Sequence, residues 1–232
     1  MIADDSNHAS RAPRRSRDDV VDAALELLDR VGLPDLSMRR LAEHLGVQPS
    51  ALYWHVENKQ QLLAAVSGRI LRPLAAADAP SSTTLDGAAR DLALRLHDSL
   101  LAYRDGAEVV SSSLALGLVE PPVHAQLRAV AVEHGAPASL ADTIADAITH
   151  FVVGFTFHQQ QRRSADAWGA AAGTVAASAE RVADGDDDGF TAALDLIIAG
   201  ATTTVLSRAD APDAANGGAT RHPAPAMTTD TT

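Results

Sequence analysis

The stretch from Ser37 to Lys59 constrains this chain more than any other. It runs Ser37-Met38-Arg39-Arg40-Leu41-Ala42-Glu43-His44-Leu45, then Gly46-Val47-Gln48, then Pro49-Ser50-Ala51-Leu52-Tyr53-Trp54-His55-Val56-Glu57-Asn58-Lys59. Leu41, Ala42, Leu45, Val47 and Leu52 are apolar at spacings that let two crossing helices share a small core. Gly46 falls where the first helix must stop and the chain must turn. Pro49 suits the first position of the next helix, where its missing N–H would be unpaired anyway. The stretch predicts two short helices joined by a tight turn.

That arrangement is a helix-turn-helix. In it the second helix lies in the major groove of duplex DNA, with its N-terminal residues toward the base edges. The net charge of −11 has the wrong overall sign for a nucleic-acid binder. Its distribution matters more. Residues 11–72 hold ten Arg or Lys against eight Asp or Glu, whereas residues 73–232 hold nine against twenty. The small basic excess therefore sits with the helix-turn-helix, and few phosphate contacts are expected.

At 232 residues the chain fits one large or two small domains, with room for a sizeable core. Hydrophobic residues make up 46% but aromatics only 3%, which favours closely packed helices over sheet. The absence of cysteine excludes disulfides and thiolate zinc sites and suits a reducing, cytoplasmic compartment. No unbroken apolar run is long enough to cross a bilayer, and Met1-Ile2-Ala3-Asp4-Asp5 is acidic. Neither a membrane partner nor a secretory signal is expected.

In order, residues 1–15 lack hydrophobic periodicity and read as disordered. Arg11, Arg14, Arg15 and Arg17 make this either a solvated tail or an arm touching DNA phosphates or the minor groove. Ser16 can cap a first helix to Val31, with Asp18 and Asp19 in its first turn and Val20, Val21, Ala24, Leu27, Leu28 and Val31 as its stripe. Asn58 can cap helix 4, with Pro73 bending or ending it. Residues 73–84 read as a connection. Helices are expected over 85–103, closed by Arg104-Asp105-Gly106, then over 107–116, 122–134 and 139–163. An Ala-rich helix over 168–180, a last helix over 190–206 and disorder from 207 to 232 complete the reading.

Ala24-Leu25-Glu26-Leu27-Leu28 with Val31-Gly32-Leu33, then Leu41-Ala42 with Leu45-Gly46-Val47, then Leu52-Tyr53-Trp54-His55-Val56 with Asn58-Lys59 and Leu62-Leu63, resembles the DNA-binding domain of TetR-type repressors, the tetracycline repressor branch above all. The likeness covers about residues 16–72, and Arg104-Asp105-Gly106 resembles the C-terminal domain of the same branch. It implies an all-α homodimer. A three-helix helix-turn-helix domain, residues 16–72, would bind an operator. A larger helical domain, residues 73–206, would bind a small-molecule effector and dimerise.

The DNA-facing set follows. Arg39 is the candidate for reading a guanine, since its guanidinium fork matches the O6 and N7 acceptors. Ser37 opens helix 2 beside it. Gln48, Pro49, Ser50 and Ala51 form the leading edge of the recognition helix. Tyr53, Trp54 and His55 match positions that touch operator backbone and bases, although one ring could pack as core instead. Lys59, the only lysine, sits where a cation does not help its own helix, and the resemblance places a phosphate contact there. Pro49 and Ala51 differ from the tetracycline repressor, so a different operator sequence is expected.

His97, Tyr103, His124, His150, Phe151, Phe155 and His158 are the candidates for an effector cavity, each with packed core or plain surface as its alternative. The places where tetracycline sensors hold a drug–magnesium chelate correspond to Ala75, Val110 and His158. That chelating set is missing, so neither tetracycline sensing nor a required metal or cofactor is expected. Asp184, Asp186, Asp188, Gly189 and Asp195 fit the spacing of a calcium loop, but with Asp in place of the final bidentate Glu. The helices over 139–163 and 190–206 are expected to form a four-helix dimer bundle through Ile144, Ile148, Phe151, Val152, Leu194 and Ile198. No phosphate-binding glycine loop, His-Glu-x-x-His or Gly-x-Ser-x-Gly signature is present, so no enzyme is expected. The rival to a regulator is a small-molecule-binding or scaffold protein whose helix-turn-helix no longer reads DNA.

Overall fold

Ser16 starts the first helix with a reciprocal cap. Its Oγ accepts the Asp19 N–H at 3.1 Å, and its own N–H donates to Asp19 Oδ2 at 2.7 Å. From there the computed structural model describes residues 16–78, 80, 82–167 and 185–209. Among the described residues the helices are α1 (Arg17–Val31), α2 (Met38–Leu45), α3 (Pro49–Leu52), α4 (Lys59–Ala76), α5 (Leu85–Leu101), α6 (Gly106–Ala115), α7 (Pro122–Glu133), α8 (Ala138–Ala167) and α9 (Gly185–Ala209). The all-α expectation holds.

Helices α1 to α4 form a small N-terminal bundle. Leu28, Leu41, Leu52, Leu62, Val66 and Ile70 fill its core, each at most 1% exposed. Arg69 of α4 pairs with Asp18 and Asp22 of α1 at 3.1 and 2.9 Å. Helix α4 then runs into the second layer, packing on α5, α6 and α7. There α8 is the axis, touching α5, α6, α7 and α9. Leu92, Leu96, Leu100, Val110, Leu127, Ile148 and Val152 are buried around it.

The structure corrects several boundaries. Helix α4 does not end at Pro73 but continues to Ala76. Pro73 removes only one backbone donor there, and Leu74, 3% exposed, gains burial by staying helical. The α5–α6 corner turns on Asp105, whose φ of 54° is left-handed, and not on Gly106, which opens α6. Gly106 is required for a different reason: a Cβ there would lie 2.5 Å from the Leu100 carbonyl oxygen. Helix α8 extends past Arg162-Arg163 to Ala167, and α9 begins at Gly185 and reaches Ala209. Asp186, Asp188, Gly189 and Asp195 therefore lie on a helix and form no calcium loop, while Asp195 pairs with Arg90. Asp184, the 168–180 helix, the arm over 1–15 and the segment 210–232 lie outside the described residues.

The single chain itself buries five of the six residues expected at the dimer bundle. Ile144, Ile148, Val152, Leu194 and Ile198 are at most 4% exposed within the single chain, and Phe151 is half-buried. Neighbouring helices of the same chain cover most of this surface, while Ile144 also lines a cleft of about 180 Å³ between α8 and α9. Among the described residues of α9, the large apolar ones turned outward are Leu196 and Leu206, 77% and 59% exposed. Helical periodicity shows that a face is apolar but not whether its partner belongs to the same chain. Ile148→Ala is accordingly expected to destabilise the fold by about 2–5 kcal/mol, measured by urea unfolding at fixed protein concentration. Unchanged stability with lost self-association would return Ile148 to the surface.

Candidate nucleic-acid interface

Several residues of α2, α3 and the turn after it stay exposed. Ser37 caps α2, its Oγ accepting the Arg40 N–H at 3.2 Å, so this hydroxyl already serves the fold. Arg39 stands out from the first turn with its side chain 85% exposed, and its Nε donates to Glu43 Oε1 at 2.9 Å. Such an exposed pair contributes under about 1 kcal/mol, so the guanidinium is easily redirected. Gly46, left-handed at φ 67°, turns the chain. Gln48 caps α3 without using its side chain, and Pro49 opens the helix. Gln48, Pro49 and Ser50 are exposed, and Ala51 is half-buried.

Helix α3 is a single turn. Tyr53, Trp54 and His55 follow it in a turn rather than extending it, which corrects the expectation of aromatics within the helix. The reason is anchoring on either side. Leu52 and Val56 are 1% and 3% exposed. The N–H groups of His55 and Val56 both donate to the Leu52 carbonyl, at 2.9 and 3.0 Å. With both anchors turned inward, Trp54 is 89% exposed and Tyr53 53%. Neither ring packs as core; His55 is half-buried. Beyond the turn Asn58 Oδ1 accepts the Gln61 N–H at 2.9 Å and caps α4. Lys59 follows, half-buried and at the end of α4 whose dipole disfavours a cation.

A polar joint ties this bundle to the rest. Asp105, 7% exposed, accepts the Leu33 N–H on Oδ2 at 2.7 Å. The Arg104 N–H donates to Asp29 Oδ1 at 3.0 Å. Gly32, at φ 81°, lets the two meet: a Cβ there would sit 2.9 Å from Asp105 Oδ2. Below it Gln160 of α8 accepts the Ala107 N–H at 3.0 Å and donates to the Leu100 and Tyr103 carbonyls at 3.1 and 2.9 Å. It thereby satisfies the backbone groups that end α5 and begin α6. Burial, then the nearby Asp105 carboxylate, push the Glu108 carboxyl above its ordinary range against an opposing Gln161 hydrogen bond. Farther along, buried Ser67 of α4 meets Ser113 Oγ of α6 at 2.9 Å and the Val109 carbonyl at 3.2 Å. Periodicity could not single out Asp105, Gln160, Ser67 or Ser113, because a polar residue in a core looks like noise in a hydrophobic pattern. The signal for Asp105 was its place in Arg104-Asp105-Gly106.

The effector candidates separate. His97, Phe151 and Phe155 come together with Phe190. The His97 ring stacks on Phe190 with centroids 4.1 Å apart, and its Nδ1 lies 2.8 Å from Thr156 Oγ1. Thr156 donates to the Val152 carbonyl, so it accepts from His97. Phe190 is 5.6 Å from Phe151 and 5.3 Å from Phe155. Tyr103 lies apart, on a cleft of about 180 Å³ with Arg104, Asp105 and Gln160. His124 instead pairs with Glu120 and Asp146 at 3.2 and 3.0 Å, and His150 and His158 are exposed. None of these three joins the aromatic cluster. A cavity of about 560 Å³ opens elsewhere, between α5, α7 and the α4–α5 connection. Among the described residues no cluster of three His, Asp or Glu could hold a metal ion.

Comparison with known proteins accounts for both layers. The family described as bacterial regulatory proteins, tetR family, matches residues 20–66, and the tetracyclin repressor-like C-terminal domain matches residues 79–205. The class C tetracycline repressor of Escherichia coli is 36% identical over 200 residues, spanning 79% of this chain and 89% of its own. The crystal structure of Mycobacterium smegmatis BioQ superposes with a TM-score of 0.70 at 35% identity, over 82% of this chain and 98% of that one. BioQ with its double-stranded DNA operator gives 0.65 at 34%, over 81% and 98%. A TetR variant from Acinetobacter baumannii in complex with minocycline gives 0.66 at 30%, over 82% and 98%. These relatives are regulators of transcription, and the chain belongs to the TetR family of bacterial regulatory proteins.

Proposed function

We propose that the chain is a ligand-responsive transcriptional repressor that binds a palindromic DNA operator as a homodimer in the cytoplasm. The observation that carries the reading is the outward display of Tyr53 and Trp54 between buried Leu52 and Val56. A soluble fold exposes an indole at little benefit to itself, so the display points to a partner. Arg39, Gln48, Pro49 and Ser50 are exposed as well, and with Ala51 they would complete the base-facing set, with Lys59 and the half-buried His55 for phosphates. The operator complex of the BioQ relative supports duplex DNA as that partner.

The dimer rests on α9. Its inner side is held by Phe190, Leu194, Ile198 and Val205, while Leu196 and Leu206 face out. By length and composition α8 and α9 could each pass for a membrane span, yet α8 packs within the helical layer and most of α9 is left uncovered. A shallow cleft of about 180 Å³ between them includes Ala147, Gly200 and Ala201, small residues that allow a partner helix to approach. Two recognition edges would then be set about one duplex turn apart. An effector acting on the C-terminal layer, with His97, Phe151 and Phe155 as its aromatic wall, would favour a dimer with wrongly spaced edges. The operator would weaken effector binding by the same factor.

Trp54→Ala is expected to leave stability within about 0.5 kcal/mol while greatly weakening operator binding, read by thermal melting and fluorescence anisotropy on the same preparation. Equal operator affinity would remove the indole from the interface. Arg39→Ala should cost about 1–3 kcal/mol at one base position. Lys59→Ala should instead weaken all duplexes alike and lower the salt slope by about 1. A salt series across single-base operator variants distinguishes them, and sequence-indifferent binding by the unmodified protein would contradict a specific repressor. Leu196→Asp should yield folded monomers by light scattering; an unaffected dimer would place the interface elsewhere.

A further inference from the structure

His134 occupies the C-terminal cap of α7, where the last carbonyls of a helix lack partners and a cation is favoured by the dipole. Its Nδ1 lies 2.8 Å from the Val130 carbonyl oxygen, one turn back. Its Nε2 lies 3.0 Å from the Thr83 carbonyl oxygen, in the connection between α4 and α5. A carbonyl oxygen only accepts. Both ring nitrogens must therefore donate, and only the imidazolium carries two N–H groups. The neutral ring can keep just one of these bonds.

The position of Thr83 gives this a consequence. Pro80, Ser82 and Thr83 of the connection, with Ala88 of α5 and Val130 and Glu133 of α7, line the cavity of about 560 Å³. Its size falls within the range of small-molecule sites. We propose that His134 is a proton-operated latch: doubly protonated, it holds Thr83 against α7 along the cavity, and loss of one proton to water frees the Thr83 carbonyl and opens the cavity to a small molecule. The Nδ1–H bond to Val130 stays, because it is shorter and lies within one helix. The Nε2 proton leaves.

The two backbone carbonyls, Val130 first and Thr83 second, hold the imidazole above its ordinary value of 6.5. Glu133 adds to them, and slight burial opposes. Among the described residues lining the cavity, Glu133 and His134 are the titratable ones. The charged groups of the adjoining elements have other partners: Asp86 of α5 accepts from Thr202, and Arg95 is tied to Asp91 and the Asp78 carbonyl. The sign follows. A value raised in the latched state means the latch is fully present below 6.5 and is lost as pH rises through the raised value. Opening belongs to the alkaline side of the histidine range.

The chain has no cysteine, so one placed in the cavity reports access. Ala88, 2% exposed, is the position. Methyl methanethiosulfonate labelling of Ala88→Cys is compared with that of Ala88→Cys/His134→Gln between about pH 6 and 8. The glutamine side chain cannot titrate, and dividing each rate by that variant's own thiolate fraction removes the thiol's pH dependence from the ratio. The ratio should be severalfold below one at the acid end and approach one at the alkaline end. A ratio constant with pH overturns the latch. Should the double variant not fold, the His134 ring proton shift in the full natural chain decides. A midpoint above 6.5 that moves together with the Thr83 and Thr84 amide signals supports the latch, and a midpoint at or below 6.5, or amides that ignore it, rejects it. No DNA is read in either experiment, so its outcome is separate from the operator reading.

Discussion

Leu52 and Val56 are the contact on which the rest of the structure depends. Two apolar side chains four residues apart are drawn into the N-terminal core, where both are nearly inaccessible. Fully burying a residue of this kind contributes about 1.5–3 kcal/mol. One turn of helix cannot stand alone in water, so α3 exists because this burial holds it against α2. With both anchors turned inward, Tyr53 and Trp54 are left exposed. The exposed aromatics are thus a consequence of the core, and the proposed DNA-facing edge inherits its geometry from apolar packing.

The two layers are joined differently. Apolar surface is non-directional and tolerates sliding, whereas hydrogen bonds fix atoms in pairs. The joint uses the second kind: Asp105 with Leu33, Arg104 with Asp29, Ser67 with Ser113. A rearrangement of α6 must move these bonds or break them, which gives the C-terminal layer a means of reorienting α1 and α4. Asp105 adopts a left-handed backbone with a non-glycine side chain, at a cost of roughly 1–3 kcal/mol. Gly32 and Gly106 permit the close approaches around it.

Much of this was legible in the sequence for identifiable reasons. Caps are local, so Ser16, Ser37 and Asn58 announce themselves within a few residues of chain. The turn at Gly46 and the start at Pro49 follow from backbone sterics in the same way. Burial within the chain was not legible: Ile148 and Leu194 carry the pattern of an interface and the pattern of a core alike. Outward orientation of Trp54 needed the anchors at Leu52 and Val56 to be weighed together. Histidines were the least legible. His97 packs against Phe190, His124 bonds to carboxylates and His134 to backbone, and no spacing rule separates the three.

The most direct measurement is selection of bound duplexes from a randomised library by the full chain at fixed salt. A dimeric repressor should enrich an imperfect palindrome whose half-sites are centred about 10 base pairs apart, or a multiple of that. Enrichment of no sequence, or of a single unrepeated motif, would contradict it.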